Sequence, residues 1–210
     1  MPHDVSAVAD VTVSGERIDL DRTITILLVG VGGQGTILAG NICAMCAADA
    51  GLDVKVSEIH GMSQRGGSVS TVIRVGKKVE SMVCDPGCAD VVVAFEAVEA
   101  LRAQQFLRDG GTLFVNDEQI VPVSVHVGNF TMPADAEARL NAIGAVRIDA
   151  GEIARAAGSP KSTNVVLVGA LSTALPFSVE EWQDAIRRRV PPKTIDANLE
   201  AFARGRAAVA

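Results

Sequence analysis

The chain has 210 residues, 48% of them hydrophobic and 21% charged, with a formal net charge of −6 at pH 7. A chain this long buries roughly 70% of the surface its unfolded form exposes, so its core needs neither disulfides nor a structural metal. The acidic balance, with one Trp, no Tyr and six Phe, argues against nucleic acid or an anionic membrane as the main partner.

Residues 1–22 mix acidic, basic and small side chains without an apolar centre. They read as a flexible N-terminal extension with a short strand over Val11–Val13, and not as a signal peptide. No apolar run approaches the length of a membrane span, and the cytoplasm, where thiols stay reduced, is the expected compartment. Residues 23–210 are expected to form a single domain.

The run "ITILLVG", residues 24–30, is short, apolar and ended by glycine, as in a buried strand. A helix is predicted over 34–50, stopped by Gly51. Strands follow over Asp53–His60 and Ser68–Gly76, and "KKVESMV" reads as a hairpin partner reached through a Lys77–Lys78 turn. Ala89–Phe95 is a further buried strand, leading to a helix over 96–108 closed by Gly110–Gly111. Strands are predicted over 112–117, 121–127 and 145–149, and helices over 134–143 and 150–157. The remainder from Ser162 is helical, broken at Pro176 and at Pro191–Pro192. Strands alternating with helices imply a three-layer α/β fold with a Rossmann-like start, its largely parallel sheet covered on both faces.

Ligands of such sheets meet the carboxyl ends of the strands. The first loop there is "GVGGQG", where Gly30, Gly32 and Gly35 satisfy G-x-G-x-x-G. Glycines allow a tight turn and close approach to a phosphate, and the helix N-terminus supplies free N–H groups. Glu58, near the end of the second strand, could hold a ribose. A stand-alone NAD(P)- or flavin-dependent oxidoreductase is therefore one reading. The other is that the glycines, Gly32, Gly33 and Gly35 among them, only let the helix start close against the sheet; the spacing alone does not decide.

The second loop crowds His60, Gly61, Met62, Ser63, Gln64 and Arg65 ahead of Gly66 and Gly67. Glycine-rich loops carrying polar side chains wrap ligands or neighbouring chains. Arg65 offers a planar five-donor fork suited to carboxylate or phosphate, or it pairs with Glu58 or Asp85 and fixes the loop. His60 is of the residue type suited to proton transfer near neutral pH, but it has no Cys, Asp or Ser beside it in a nucleophile–base pattern, and no catalytic triad is supported. Cys43 and Cys46 fall one turn apart in a predicted helix, and Cys84 and Cys88 flank Pro86–Gly87. The spacing fits buried, inert thiols better than a metal or iron–sulfur site.

Taken together, "GVGGQG", "EIHGMSQRGGSVSTVIRVG" and "ADVVVAFEAVEALR" resemble the γ-type domain of the 2-oxoacid:ferredoxin oxidoreductases. The loop "HGMSQRGG" is most similar to the small (β) subunits of the indolepyruvate type. "STNVVLVGAL" and "NLEAFARG" extend the resemblance over about residues 24–205. The resemblance implies oxidative decarboxylation of a 2-oxoacid, an aryl pyruvate in this branch, to an acyl-CoA. Thiamine diphosphate, Mg and [4Fe-4S] clusters are then expected on a large partner subunit, with electrons leaving to ferredoxin through the complex. This chain is then expected to bind no cofactor alone and to carry no catalytic residue, in keeping with its lack of a cluster-type cysteine run. Both loops are expected to contact the partner, with Gln34, Gln64 and Arg65 positioning a substrate carboxylate or CoA phosphate. The rival is a pure assembly module with no substrate contact.

Overall fold

The apolar runs of the sequence build a six-stranded sheet whose faces are set by the two-residue period of a strand. The computed structural model describes residues 22–60, 67–121 and 131–210, together with Thr12–Val13, Glu16–Arg17, Val125 and Gly128. Thr12–Val13 (β1) and Glu16–Arg17 (β2) form a separate two-stranded antiparallel pair. The main sheet runs in the order β4 (Asp53–His60), β5 (Ser68–Gly76), β3 (Ile24–Val31), β6 (Ala89–Ala94), β7 (Leu107–Asn116), β8 (Val146–Ile148). Pairing from β3 through β8 is parallel, whereas β5 is antiparallel to both β3 and β4. The sheet is thus mixed and largely parallel, and β4 points the same way as β3 without touching it.

Along β3, Ile24, Ile26 and Leu28 enter one hydrophobic layer, and Leu27 and Val29 enter the other. The first layer is closed by α1 (Thr36–Asp49), α4 (Ala150–Ala156), α5 (Thr163–Ser172), α6 (Val179–Arg189) and α7 (Ile195–Ala207). The second is covered by two short helices, α2 (Ala97–Ala103) and α3 (Ala136–Ala142). At the amino end of the sheet the buried Asp90 accepts from the Thr25 amide at 2.8 Å and pairs with Arg22 and Arg108, both at 2.6 Å. A buried carboxylate persists only with such partners.

Two sequence expectations fail here for local reasons. The hairpin partner after Lys77–Lys78 is not a strand. Residues 77–88 are held instead by side chains: Arg74 donates to the carbonyls of Ser81 and Val83, and Asp53 accepts from the Val79 amide. The helix expected over 96–108 ends at Ala103, and a 3₁₀ turn (Gln104–Phe106) leads straight into β7. Gly110–Gly111 therefore lies inside a strand, where the register shifts between Ala89 and Val91 and Gly110 takes a φ of 72°. A glycine with positive φ within a strand marks such a bulge as readily as a helix stop. The strand expected over 121–127 falls largely outside the described residues, and at Val121 and Val125 the chain is not a strand.

The helices behind β3 fit because two glycines remove side chains at one crossing. A Cβ on Gly205 would collide with the Val166 carbonyl, and one on Gly169 with the Phe202 carbonyl. α5 and α7 therefore meet backbone to backbone, and α5 is buried from Asn164 through Ser172. Trp182 anchors α6 beside them, with ring centroids 6.0 Å from Phe177 and 6.4 Å from Phe202. A capping box starts α6: Glu181 N–H donates to Ser178 Oγ, and Ser178 N–H to the Glu181 carboxylate. Since overpacking costs typically about 1–3 kcal/mol, Gly205→Ala is expected to lower stability by at least that amount. Urea unfolding followed by circular dichroism measures it; an unchanged midpoint contradicts the close crossing.

Candidate functional site

Every residue of β3 before Val31 is buried, so the strand delivers Gly32–Gly35 at the carboxyl edge of the sheet. Gly35 is the N-cap of α1 with φ 84°, and Gly33 has φ 108°. Both values lie in the left-handed region that glycine adopts freely. Between them Gln34 folds back. Its Oε1 accepts from the Val31 amide at 2.7 Å, and its Nε2 donates to the Phe95 carbonyl at 3.0 Å and to Glu118 at 3.4 Å.

Asn116, buried at the end of β7, makes a parallel set of bonds. Its Nδ2 donates to the same Phe95 carbonyl at 3.2 Å and to Glu118 at 3.1 Å, while its Oδ1 accepts from the Ala150 amide at 3.1 Å. Two side-chain amides thus converge on one carbonyl and one carboxylate. They tie together the ends of β3, β6 and β7 and the start of α4. Beside them a cavity of about 380 Å³ is lined by Asn116, Asp117, Glu118, Asp149, Arg155 and Thr163 among others.

Glu96 completes this edge. It caps α2 by accepting from the amides of Val98 and Glu99 at 2.8 and 2.9 Å, and it also accepts from Ile120 at 3.2 Å. Burial outweighs these bonds and pushes its carboxyl above the usual range. Ser68, at the start of β5, donates to Glu99 at 2.5 Å.

The dinucleotide reading does not survive this geometry. The Gly32 amide donates to Gly67 at 2.8 Å and the Gln34 amide to Val31 at 3.1 Å, so two loop N–H groups serve the protein. The space beside Gly30 is filled by Gln34 and Phe95, and that beside Gly35 by Asn164. Glu58, an exposed residue of β4, pairs across to Thr71, which in turn pairs with Leu28 of β3. It lies two strand spacings, about 10 Å, from β3, where a Rossmann ribose acid needs the adjacent strand.

Of the second loop, Gly61, Met62, Ser63, Gln64, Arg65 and Gly66 lie outside the described residues, as does the side chain of His60. Its two ends are described. β4 finishes at His60 opposite Val69, and Gly67 bonds to Gly32. Both glycine loops therefore spring from neighbouring points on one edge. Asp85, one partner considered for Arg65, sits on the segment entering β6 at the opposite end of the sheet.

Phe95, Glu96, Asn116, Glu118 and Asn164 escaped the sequence reading. Their signal was position: each stands at the carboxyl end of a strand or opens a helix there.

The thiols occupy two different layers. Cys43 and Cys46 are fully buried on α1 in the first, and burial raises both, Cys43 to about 12. Cys84 packs against the second layer and, like Cys88, is half-buried, which corrects the expectation that all four are buried. With the sheet between the pairs, four thiolates cannot converge on one cluster. Among the described residues no group of three or more His, Cys, Asp or Glu is arranged to hold a metal, and no helix is long and apolar enough to cross a membrane.

The profile of the pyruvate ferredoxin/flavodoxin oxidoreductase family matches residues 25–208. The chain belongs to this family. Among the relatives of this oxidoreductase-family chain is the indolepyruvate oxidoreductase subunit IorB of Thermococcus kodakarensis, 44% identical over 191 residues, covering 88% of this chain and 95% of that one. In fold it is similar to the γ subunit of a keto/oxoacid ferredoxin oxidoreductase from Geobacter sulfurreducens, with a TM-score of 0.67 at 23% identity, covering 89% and 98% of the two chains. It is also similar to 2-oxoglutarate:ferredoxin oxidoreductase from Magnetococcus marinus, with a TM-score of 0.68 at 23% identity. That match covers 90% of this chain but 31% of the longer one, so the same unit recurs there as a segment of a larger polypeptide.

Two outcomes follow. Gln34→Ala strips the part-buried Val31 amide of its acceptor, and a lost hydrogen bond of this kind costs about 0.5–1.5 kcal/mol. Stability should fall by that amount, with faster hydrogen exchange at the loop amides. For Glu96, a carboxyl raised in the folded state stabilises the fold fully below its unfolded pKa and loses that contribution as pH rises through the folded one. Glu96→Gln should therefore gain stability relative to the parent as pH climbs from the acid range to neutrality, read from unfolding midpoints at each pH.

Proposed function

We propose that this chain is the small, accessory subunit of a thiamine diphosphate-dependent 2-oxoacid:ferredoxin oxidoreductase of the indolepyruvate type. The observation that carries the reading is the 44% identity to an indolepyruvate oxidoreductase subunit across 95% of that subunit's length. The substrate class is then an aryl pyruvate, oxidatively decarboxylated to its acyl-CoA.

Thiamine diphosphate, Mg and the [4Fe-4S] clusters belong to the large partner subunit, through which ferredoxin is reduced. The separation of the thiols into two layers supports this division, as does the recurrence of this unit inside a longer oxidoreductase chain. Cofactors bring the difficult chemistry, and the surrounding protein brings binding and orientation.

The chain's own part is to present a shaped edge. Gly32–Gly35 and the loop from His60 to Gly67 form one lip against the partner's active site. Gln34 braces the lip from within, since its amide is engaged with Phe95 and Glu118. Gln64 and Arg65 are the groups that reach a substrate carboxylate or a CoA phosphate. Arg65 suits either anion by its bidentate fork.

The test is reconstitution of the co-purified two-subunit complex with Arg65→Ala. Loss of a charge-assisted hydrogen bond, about 1.5–3 kcal/mol, predicts a tenfold to hundredfold fall in kcat/KM for the 2-oxoacid or for CoA. Unchanged kinetics with intact assembly removes the contact. A change in subunit association alone makes the chain an assembly module.

A further inference from the structure

The connector from β5 to β6 runs over residues 77–88, at the end of the sheet away from the glycine loops. Its last five residues, Cys84-Asp85-Pro86-Gly87-Cys88, form a tight turn. The Cys88 amide donates to the Asp85 carbonyl at 3.2 Å, and Gly87 takes a φ of 73°. Proline followed by a positive-φ glycine is the arrangement that favours a type II turn. The turn is tethered on both sides. The Gly87 amide donates to Gln105 at 2.9 Å, and Arg74 holds the preceding carbonyls of Ser81 and Val83 at 2.9 and 3.0 Å.

This frame leaves the two sulfurs facing each other at 2.7 Å. A disulfide needs S–S of about 2.05 Å, so the pair lies within roughly an ångström of bonding. Asp85, Pro86 and Gly87 between them are exposed, and both cysteines are partly accessible. Thiols kept only as apolar filler have no need to meet across a preformed turn. The other pair is one helical turn apart on α1 and fully buried.

We propose that Cys84 and Cys88 form a redox-active dithiol site that closes reversibly to an intramolecular disulfide, with small-molecule disulfides as its reaction partners. One thiolate attacks a sulfur of the external disulfide and expels one small thiol, leaving a mixed disulfide. The second thiolate attacks that bond and expels the other small thiol. Two S–H bonds are lost and one S–S bond forms on the protein; the two electrons and two protons leave on the pair of small thiols. Burial and the Cys88 sulfur push the Cys84 thiol up to about 12, so Cys84 rests protonated at neutral pH and its attack quickens as pH rises.

The experiment equilibrates the full chain in glutathione buffers of increasing disulfide-to-thiol ratio. The mixture is acid-quenched, unfolded and alkylated, and peptides are read by mass spectrometry. Cys84 and Cys88 should lose alkylation together in one two-electron transition, with the peptide lighter by two hydrogens. Cys43 and Cys46 should remain fully alkylatable throughout. In Cys84→Ser, Cys88 should instead carry glutathione at the oxidising end. The proposal is overturned if both thiols stay alkylatable at every ratio, or if the parent chain gains glutathione without the internal bond.

Discussion

The Phe95 carbonyl is where the carboxyl edge of this sheet is held together. Gln34 and Asn116 both donate to it and to Glu118, and through their other amide atoms they hold Val31 and Ala150. Four pieces of chain distant in sequence are thereby fixed by two side chains. Polar networks of this kind are valuable only when every member is satisfied, because an orphaned group in a low-dielectric site is expensive. The network is also what turns a glycine loop into a rigid edge. The amide of Gln34 fills the space beside Gly30, and the Gly32 amide ties the same turn to Gly67.

This arrangement changes the meaning of the glycines. The spacing G-x-G-x-x-G describes what the backbone can do and leaves open what occupies the space. Here that space is taken by Gln34, Phe95 and Asn164 from within the chain. The antiparallel insertion of β5 between β3 and β4 has a second effect. It moves Glu58 away from the strand where a ribose-binding acid would stand and brings the end of the second loop against the first. A fold that opens like a dinucleotide-binding domain thus joins the ends of its two glycine loops through the Gly32–Gly67 bond.

Much of this was legible in the residues. Uninterrupted apolar runs marked β3 and β6, because strands buried on both faces have no polar alternation to blur them. The glycine and proline stops placed α1, α5, α6 and α7 closely. What sequence periodicity could not convey was pairing. The position of β5 is a tertiary fact, as is the irregular path of residues 77–88, whose carbonyls are claimed by Arg74 rather than by a neighbouring strand. Gly110–Gly111 misled for a similar reason, since a bulge and a helix stop use the same glycine freedom. Asn116 looked like an ordinary residue near the end of a strand and Glu118 like one just past it, and only the convergence of distant segments gives them their roles.

The crossing of Gly169 and Gly205 bears on how the domain is made. α5 occupies the middle of the larger hydrophobic layer, yet one side of it is covered only when α7 arrives. During synthesis, segments emerge in order at about 5–20 residues per second and fold as their contacts become available. The central helix stays incompletely covered until the last helix of the domain has left the ribosome. Final locking of the larger layer is therefore a late event, and a polypeptide shortened within α7 would leave an apolar trough beside α5.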